Sequence, residues 1–120
     1  MKVHEYQAKK FFASYGLPVD RNIICRTPDE AVEAYKQLGI EKAVVKAQVH
    51  TGGRGKAGGV KLGCNETEIR QHAEAILGMN IKGFIVDRVL VSEAVDIASE
   101  YYMSILVDRK SKCPMLMLSR

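Results

Sequence analysis

Along the chain, Ala8, Phe11, Phe12 and Tyr15 recur at helical spacing, and Gly16 followed by Pro18 supplies a stop. The pattern predicts a first helix from about His4 to Tyr15, with its aromatics in the core. Arg21 to Cys25 offers a short apolar strand, and Thr27-Pro28-Asp29-Glu30 reads as a capped helix start with the helix ending near Gly39. Ala43 to Val49 is a valine-rich strand interrupted by Lys46 and Gln48, two polar residues that need a reason to be there. Beyond a glycine cluster, Val60 to Leu62 reads as a returning strand. Asn65 with Glu68 caps a third helix whose Ile69, Ala73, Ile76 and Leu77 share a face, and Gly78 closes it. Phe84 to Val91 and Tyr101 to Val107 are β-rich runs, and Arg109 to Cys113 predicts a polar hairpin leading into Met115 to Leu118. An apolar strand reaching Ser119-Arg120 with no cap or polar tail leads us to expect that the natural polypeptide continues.

The 120 residues, 47% hydrophobic and 27% charged, suit one ordinary globular domain and not a disordered chain. No apolar run approaches the roughly 20 residues that span a bilayer, and the opening residues lack the apolar stretch of a signal peptide, so a cytoplasmic protein without membrane contact is expected. Cys25, Cys64 and Cys113 are odd in number and lack CxxC spacing, which suggests reduced thiols and not a disulfide or zinc framework. The net charge of +4 would attract any anion, so the placement of the charges matters more than their sum. Lys46, Arg54, Lys56 and Lys61 gather around the glycine cluster.

That cluster, His50 to Gly59, holds five glycines in ten positions, more than a single turn requires. Glycine lets main-chain amides come close to an anion and tolerates positive φ, and a bound triphosphate would offset the entropy of ordering the loop. Gly53, Gly55 and Gly58 satisfy GxGxxG, but a strand follows where a dinucleotide fold needs a helix. The P-loop pattern fails because Ala57 follows Gly55-Lys56. Strand, loop and strand in sequence instead suggest a flap laid over phosphates. Lys46, in an apolar strand just before that flap, is placed to neutralise phosphate charge. The alternatives are an exposed flexible hairpin and a nucleic-acid module. Positions 46 to 61 offer no aromatic for base stacking, and no RNA-binding signature is present, so no nucleic-acid partner is expected.

Four stretches together carry a resemblance: His4-Glu5-Tyr6-Gln7-Ala8-Lys9, Gly16-Leu17-Pro18, Val44 to His50 and Gly52 to Val60. With Asp96-Ile97-Ala98, Glu100-Tyr101-Tyr102 and Val107-Asp108-Arg109 extending it, the chain resembles the β subunits of succinyl-CoA synthetases over nearly its whole length. The resemblance implies an α+β fold: residues 1–120 as the N-terminal part of an ATP-grasp domain, with a mixed or antiparallel sheet, packed helices and a glycine-rich phosphate flap. It implies a share in coupling the cleavage or synthesis of ATP, or GTP, to the interconversion of succinate plus CoA and succinyl-CoA. A malate-CoA ligase is the related alternative.

By the same resemblance, Lys46 contacts phosphate and Gly53, Arg54 and Gly55 form the phosphate-covering loop. Ser92 and Val95 are candidate adenine contacts on a hinge strand, and Glu100 takes the ribose. Ser92 stands where the family commonly has glutamate, with Glu93 just beyond it. No catalytic or metal-ligating residue is expected in this chain, and none of His4, His50 and His72 is assigned catalysis. The resemblance places the Mg²⁺ ligands beyond residue 120, and the phosphohistidine and CoA site on a partner α subunit.

Overall fold

The computed structural model describes residues 2–120. Its elements run α1 (Glu5–Ser14), β1 (Asn22–Cys25), α2 (Pro28–Leu38), β2 (Ala43–Ala47), β3 (Val60–Gly63), α3 (Glu66–Ile76), β4 (Asn80–Ile81), β5 (Phe84–Ile85), β6 (Val89–Glu93), β7 (Tyr102–Asp108) and β8 (Cys113–Ser119). A four-stranded sheet has the order β1-β6-β2-β3, with every neighbouring pair antiparallel. β4 with β5 and β7 with β8 form separate two-stranded ribbons.

Local chemistry sets the helix ends. Thr27 Oγ1 accepts from the Glu30 amide at 3.1 Å, Pro28 opens α2, and Gly39 closes it in the left-handed region at φ 61°. Asn65 Oδ1 accepts from the Glu68 amide at 2.9 Å and starts α3 in the same way. α2 and α3 pack side by side on one face of the sheet, burying Ala31, Ala34, Ile69, Ala73 and Ile76 against Val45, Ala47, Val89 and Val91. In β2 the buried Ala43, Val45 and Ala47 alternate with Val44 and Lys46, so Lys46 stands on the face turned away from α2 and α3.

Two expectations need correction. The aromatics of α1 are not core: Phe11, Phe12 and Tyr15 are exposed, and no residue of α1 is buried. α2 and α3 already fill the helical layer, and α1 meets the sheet through polar groups instead. The Tyr6 amide donates to Gln48 Oε1 at 3.2 Å, and Arg88 Nη1 donates to Tyr6 Oη at 3.2 Å. Nor is Phe84 to Val91 one strand. Lys82 and Gly83, at φ 50° and 87°, turn Phe84–Ile85 back onto Asn80–Ile81, and the chain joins the main sheet only at Val89.

Candidate functional site

The glycine loop leaves β2 at Ala47 and returns at Val60. The Ala47 amide donates to the Gly59 carbonyl at 2.7 Å, and the Gly59 amide to the Arg54 carbonyl at 2.8 Å, which closes the loop at its base. Inside it, the Ala57 amide reaches the Gly53 carbonyl at 3.1 Å and the Gly58 amide the Gly55 carbonyl at 3.0 Å. The amides of Gly52, Gly53, Arg54, Gly55 and Lys56 donate to no acceptor among the described residues. A run of free N–H groups is the arrangement that binds anions. These residues, with Lys2, Val3, Glu5, Val49, His50, Thr51 and Val60, line an open cleft of about 720 Å³.

Beneath the loop, one carboxylate gathers the cations. Glu5 Oε2 accepts from Arg54 Nη1 at 2.7 Å, while Glu5 Oε1 lies 3.2 Å from Lys9 Nζ and 3.5 Å from Lys46 Nζ. Asp20 takes Lys9 at 2.6 Å and Lys46 at 3.7 Å. Burial would raise the Glu5 carboxyl, but the Arg54 hydrogen bond and the charges of Lys46, Arg54 and Lys9 outweigh it and hold the group at about 2. Gln48, fully buried, donates weakly to Glu5 Oε2 at 3.4 Å. Both polar interruptions of the second strand thus have partners on α1.

At the start of the loop, His50 stacks on His4 with ring centroids 3.8 Å apart. Burial, then the neighbouring His50 and Arg88, lowers the His4 imidazole from its ordinary value. Sequence reasoning missed Lys82, whose positive-φ turn brings its ammonium against Gly53: a Cβ on Gly53 would stand 3.2 Å from Lys82 Nζ. Only the fold of the small β4–β5 ribbon reveals that approach.

Lys46 and Ser92 lie on one sheet face, since Val44 pairs with Ser92 and Lys46 with Leu90 in register. Ser92 is fully buried, its Oγ has no hydrogen-bond partner among the described residues, and its main chain lies between Asn22 of β1 and Val44 of β2, so hydroxyl and main chain are both enclosed in the sheet. Val95 is exposed and lines a second groove of about 660 Å³ with Glu5, Ala8, Lys9, Phe12, Pro18, Val19, Asp20 and Glu93. Glu5 borders both spaces, which makes them neighbours. Glu100 is exposed between β6 and β7 and makes no salt bridge within the described residues. The structure therefore brings Lys46, the loop and Val95 towards Glu5, while Glu100 lines neither of these two spaces.

Three comparisons bear on this arrangement. The chain is 58% identical over 119 residues to the succinate–CoA ligase [ADP-forming] β subunit of Bacteroides thetaiotaomicron, covering 99% of this chain and 32% of that relative. It is 54% identical over 120 residues to the succinate–CoA ligase [GDP-forming] β subunit of Thermus thermophilus, again 32% of the relative. The chain thus spans about a third of the length of these relatives. Among solved structures, the dinucleotide-forming acetyl-coenzyme A synthetase 1 of Ca. Korarchaeum cryptofilum, in complex with coenzyme A, Ca-AMPCP and HgCl+, superposes with a TM-score of 0.83 at 26% identity, covering 98% of this chain and 52% of that one. The model of the ATP-grasp domain matches residues 2–120, and with the α+β architecture above it places the chain in the ATP-grasp domain family.

Proposed function

We propose that this chain is the nucleotide-binding part of a succinate–CoA ligase β subunit, the N-terminal portion of its ATP-grasp domain. The observation that carries the reading is the row of unengaged amides from Gly52 to Lys56 lining a cleft shared with Glu5, the ion-pair partner of Lys46, in a chain 58% identical to a named β subunit. Main-chain N–H groups and a lysine ammonium stabilise the charge of a transferring phosphoryl group without any reaction of their own. In this reading the amides of Gly53, Arg54 and Gly55 cover the phosphates. Lys46 exchanges its contacts to Glu5 and Asp20 for phosphate oxygens. The groove lined by Phe12, Pro18, Val19 and Val95 takes the base, and Glu100 reaches the ribose.

The nucleotide is ATP or GTP, and the relatives include both ADP-forming and GDP-forming enzymes. The described residues hold no group of three or more His, Cys, Asp or Glu able to ligate a metal. In this reading Mg²⁺ is held by residues outside this segment, one or two carboxylates and the nucleotide phosphates being its usual ligands. No helix among the described residues is long and apolar enough to cross a membrane. The acyl and CoA chemistry belongs to the rest of the β subunit and to an α-subunit partner carrying the phosphohistidine.

The test is nucleotide-dependent CoA-ester formation by the full-length chain with its α-subunit partner, with ATP against GTP and succinate against malate. Ester formation with succinate supports the reading. A preference for malate moves the chain to the sister ligase, and failure of either nucleotide to drive ester formation sinks the proposal.

A further inference from the structure

Glu5 has no part in the binding scheme above, yet it makes the closest charged contact to the loop. It stands on the first turn of α1, 49 positions from Arg54 in sequence, and accepts from Arg54 Nη1 at 2.7 Å. The same Nη1 donates to the Ala47 carbonyl at 2.8 Å, and the Arg54 carbonyl accepts the Gly59 amide at 2.8 Å. Arg54 is thus held at both ends, by its guanidinium to the end of β2 and to α1, and by its carbonyl to the loop base. Its charge points back beneath the loop, while the neighbouring amides stay free. A loop with this much glycine loses substantial conformational entropy on ordering, and a charge-assisted anchor reduces what the ligand must supply.

Resting on the phosphate-loop assignment above, we propose that Glu5 is a positioning residue for nucleotide binding. It pins the Arg54 guanidinium under the loop, so that the main-chain amides of the loop, and not the guanidinium, meet the phosphates. Glu5 does this without making the site repel anions. Lys9, Lys46 and Arg54 against Glu5 and Asp20 are three positive charges against two negative ones, which leaves one positive charge.

The test is a double-mutant cycle in the full-length chain: Glu5→Gln, Arg54→Gln and the pair, with Lys46→Ala as control. Nucleotide affinity is read by calorimetry, KM and kcat are measured with the α-subunit partner, and melting confirms that each variant is folded. Each single change should raise the nucleotide Kd on the order of tenfold, with the double variant no worse than either single one. KM for nucleotide should rise while kcat and KM for the acid stay unchanged, a split that general loosening of the fold would not produce. Additive losses in the double variant would overturn the proposal, because the guanidinium would then be a phosphate ligand in its own right. Tighter binding by Glu5→Gln would also overturn it, making Glu5 a competitor of the phosphates. If Lys46→Ala weakens binding but Glu5→Gln does not, only the positioning role fails. If Lys46→Ala binds normally, the phosphate-loop assignment fails and takes the positioning role with it.

Discussion

Ala47 and Gly59 meet at the base of the glycine loop with no room to spare. Their main chains are joined at 2.7 Å, and a Cβ on Gly59 would stand 3.1 Å from the Ala47 Cβ and 2.7 Å from Ile81 Cδ1. The loop's entry and exit can approach this closely only because one of the two residues has no side chain.

Gly59→Ala should therefore destabilise the fold by about 1–3 kcal/mol, the usual range for forcing an extra carbon into a packed site. Gly55 is the contrast. It has open space around it and no positive φ, so Gly55→Val should leave the melting temperature nearly unchanged and weaken nucleotide binding through the bulk facing the cleft. Melting curves and nucleotide titration on the two variants separate scaffold from contact. A stable, normally binding Gly59→Ala protein would contradict the packing argument.

Lys46→Ala should weaken nucleotide binding in the full-length chain by about 1.5–3 kcal/mol, as expected for one hydrogen bond to a charged group. The loss also leaves Glu5 and Asp20 with one cation fewer beside the phosphates. Calorimetric titration at fixed ionic strength measures it directly, and unchanged affinity counts against the assignment.

Ser92→Ala should be close to neutral, within about 0.5 kcal/mol in stability, because the hydroxyl is buried without a partner and its removal strands no other group. Nucleotide affinity should also hold, since a fully buried side chain presents nothing to a base. A large drop in affinity would show that the hydroxyl reaches the ligand after a rearrangement of the hinge.

Glu5 predicts an acid-dependent loss of stability. Its folded value of about 2 lies below the ordinary 4.5, so between these values the unfolded chain binds more protons and stability rises with pH. The contribution is complete above about 4.5 and is lost as pH falls towards about 2. Denaturant unfolding at about pH 5 and about pH 3 should show a smaller difference for Glu5→Gln than for the unsubstituted chain.

Thiol reactivity should separate Cys25 from Cys64. Burial and the nearby Glu30 charge push the Cys25 thiol up to about 12, whereas Cys64 is exposed ahead of α3. A maleimide at neutral pH should label Cys64 in the folded protein and Cys25 only after denaturation. Mass spectrometry of the labelled peptides decides it.

Much of the local structure was legible without coordinates. Thr27, Pro28, Gly39 and Asn65 mark helix ends through hydrogen bonds and φ preferences that involve only near neighbours, and each sits where the pattern puts it. The fold family followed from motif resemblance, and the match across residues 2–120 bears that out. The same local reasoning failed at Phe84 to Val91, because an apolar run reads alike whether it continues in one sheet or turns back at Lys82-Gly83. It failed for Phe11, Phe12 and Tyr15 as well, since periodicity shows that a face is apolar and cannot say which layer covers it.

The residue identities and spacing alone therefore determined most of the elements and the glycine loop and gave Lys46 as an expected cation beside it, while the family came through the resemblance of the motifs. Tertiary structure decided that Lys46 faces away from the helices, that Ser92 is sealed inside the sheet, and that Arg54 turns back to Glu5 across 49 positions. The physical reason is range. Caps, turns and periodicity depend on residues within a turn or two of one another, whereas burial, strand register and ion pairing depend on which distant segments the fold brings to the same place.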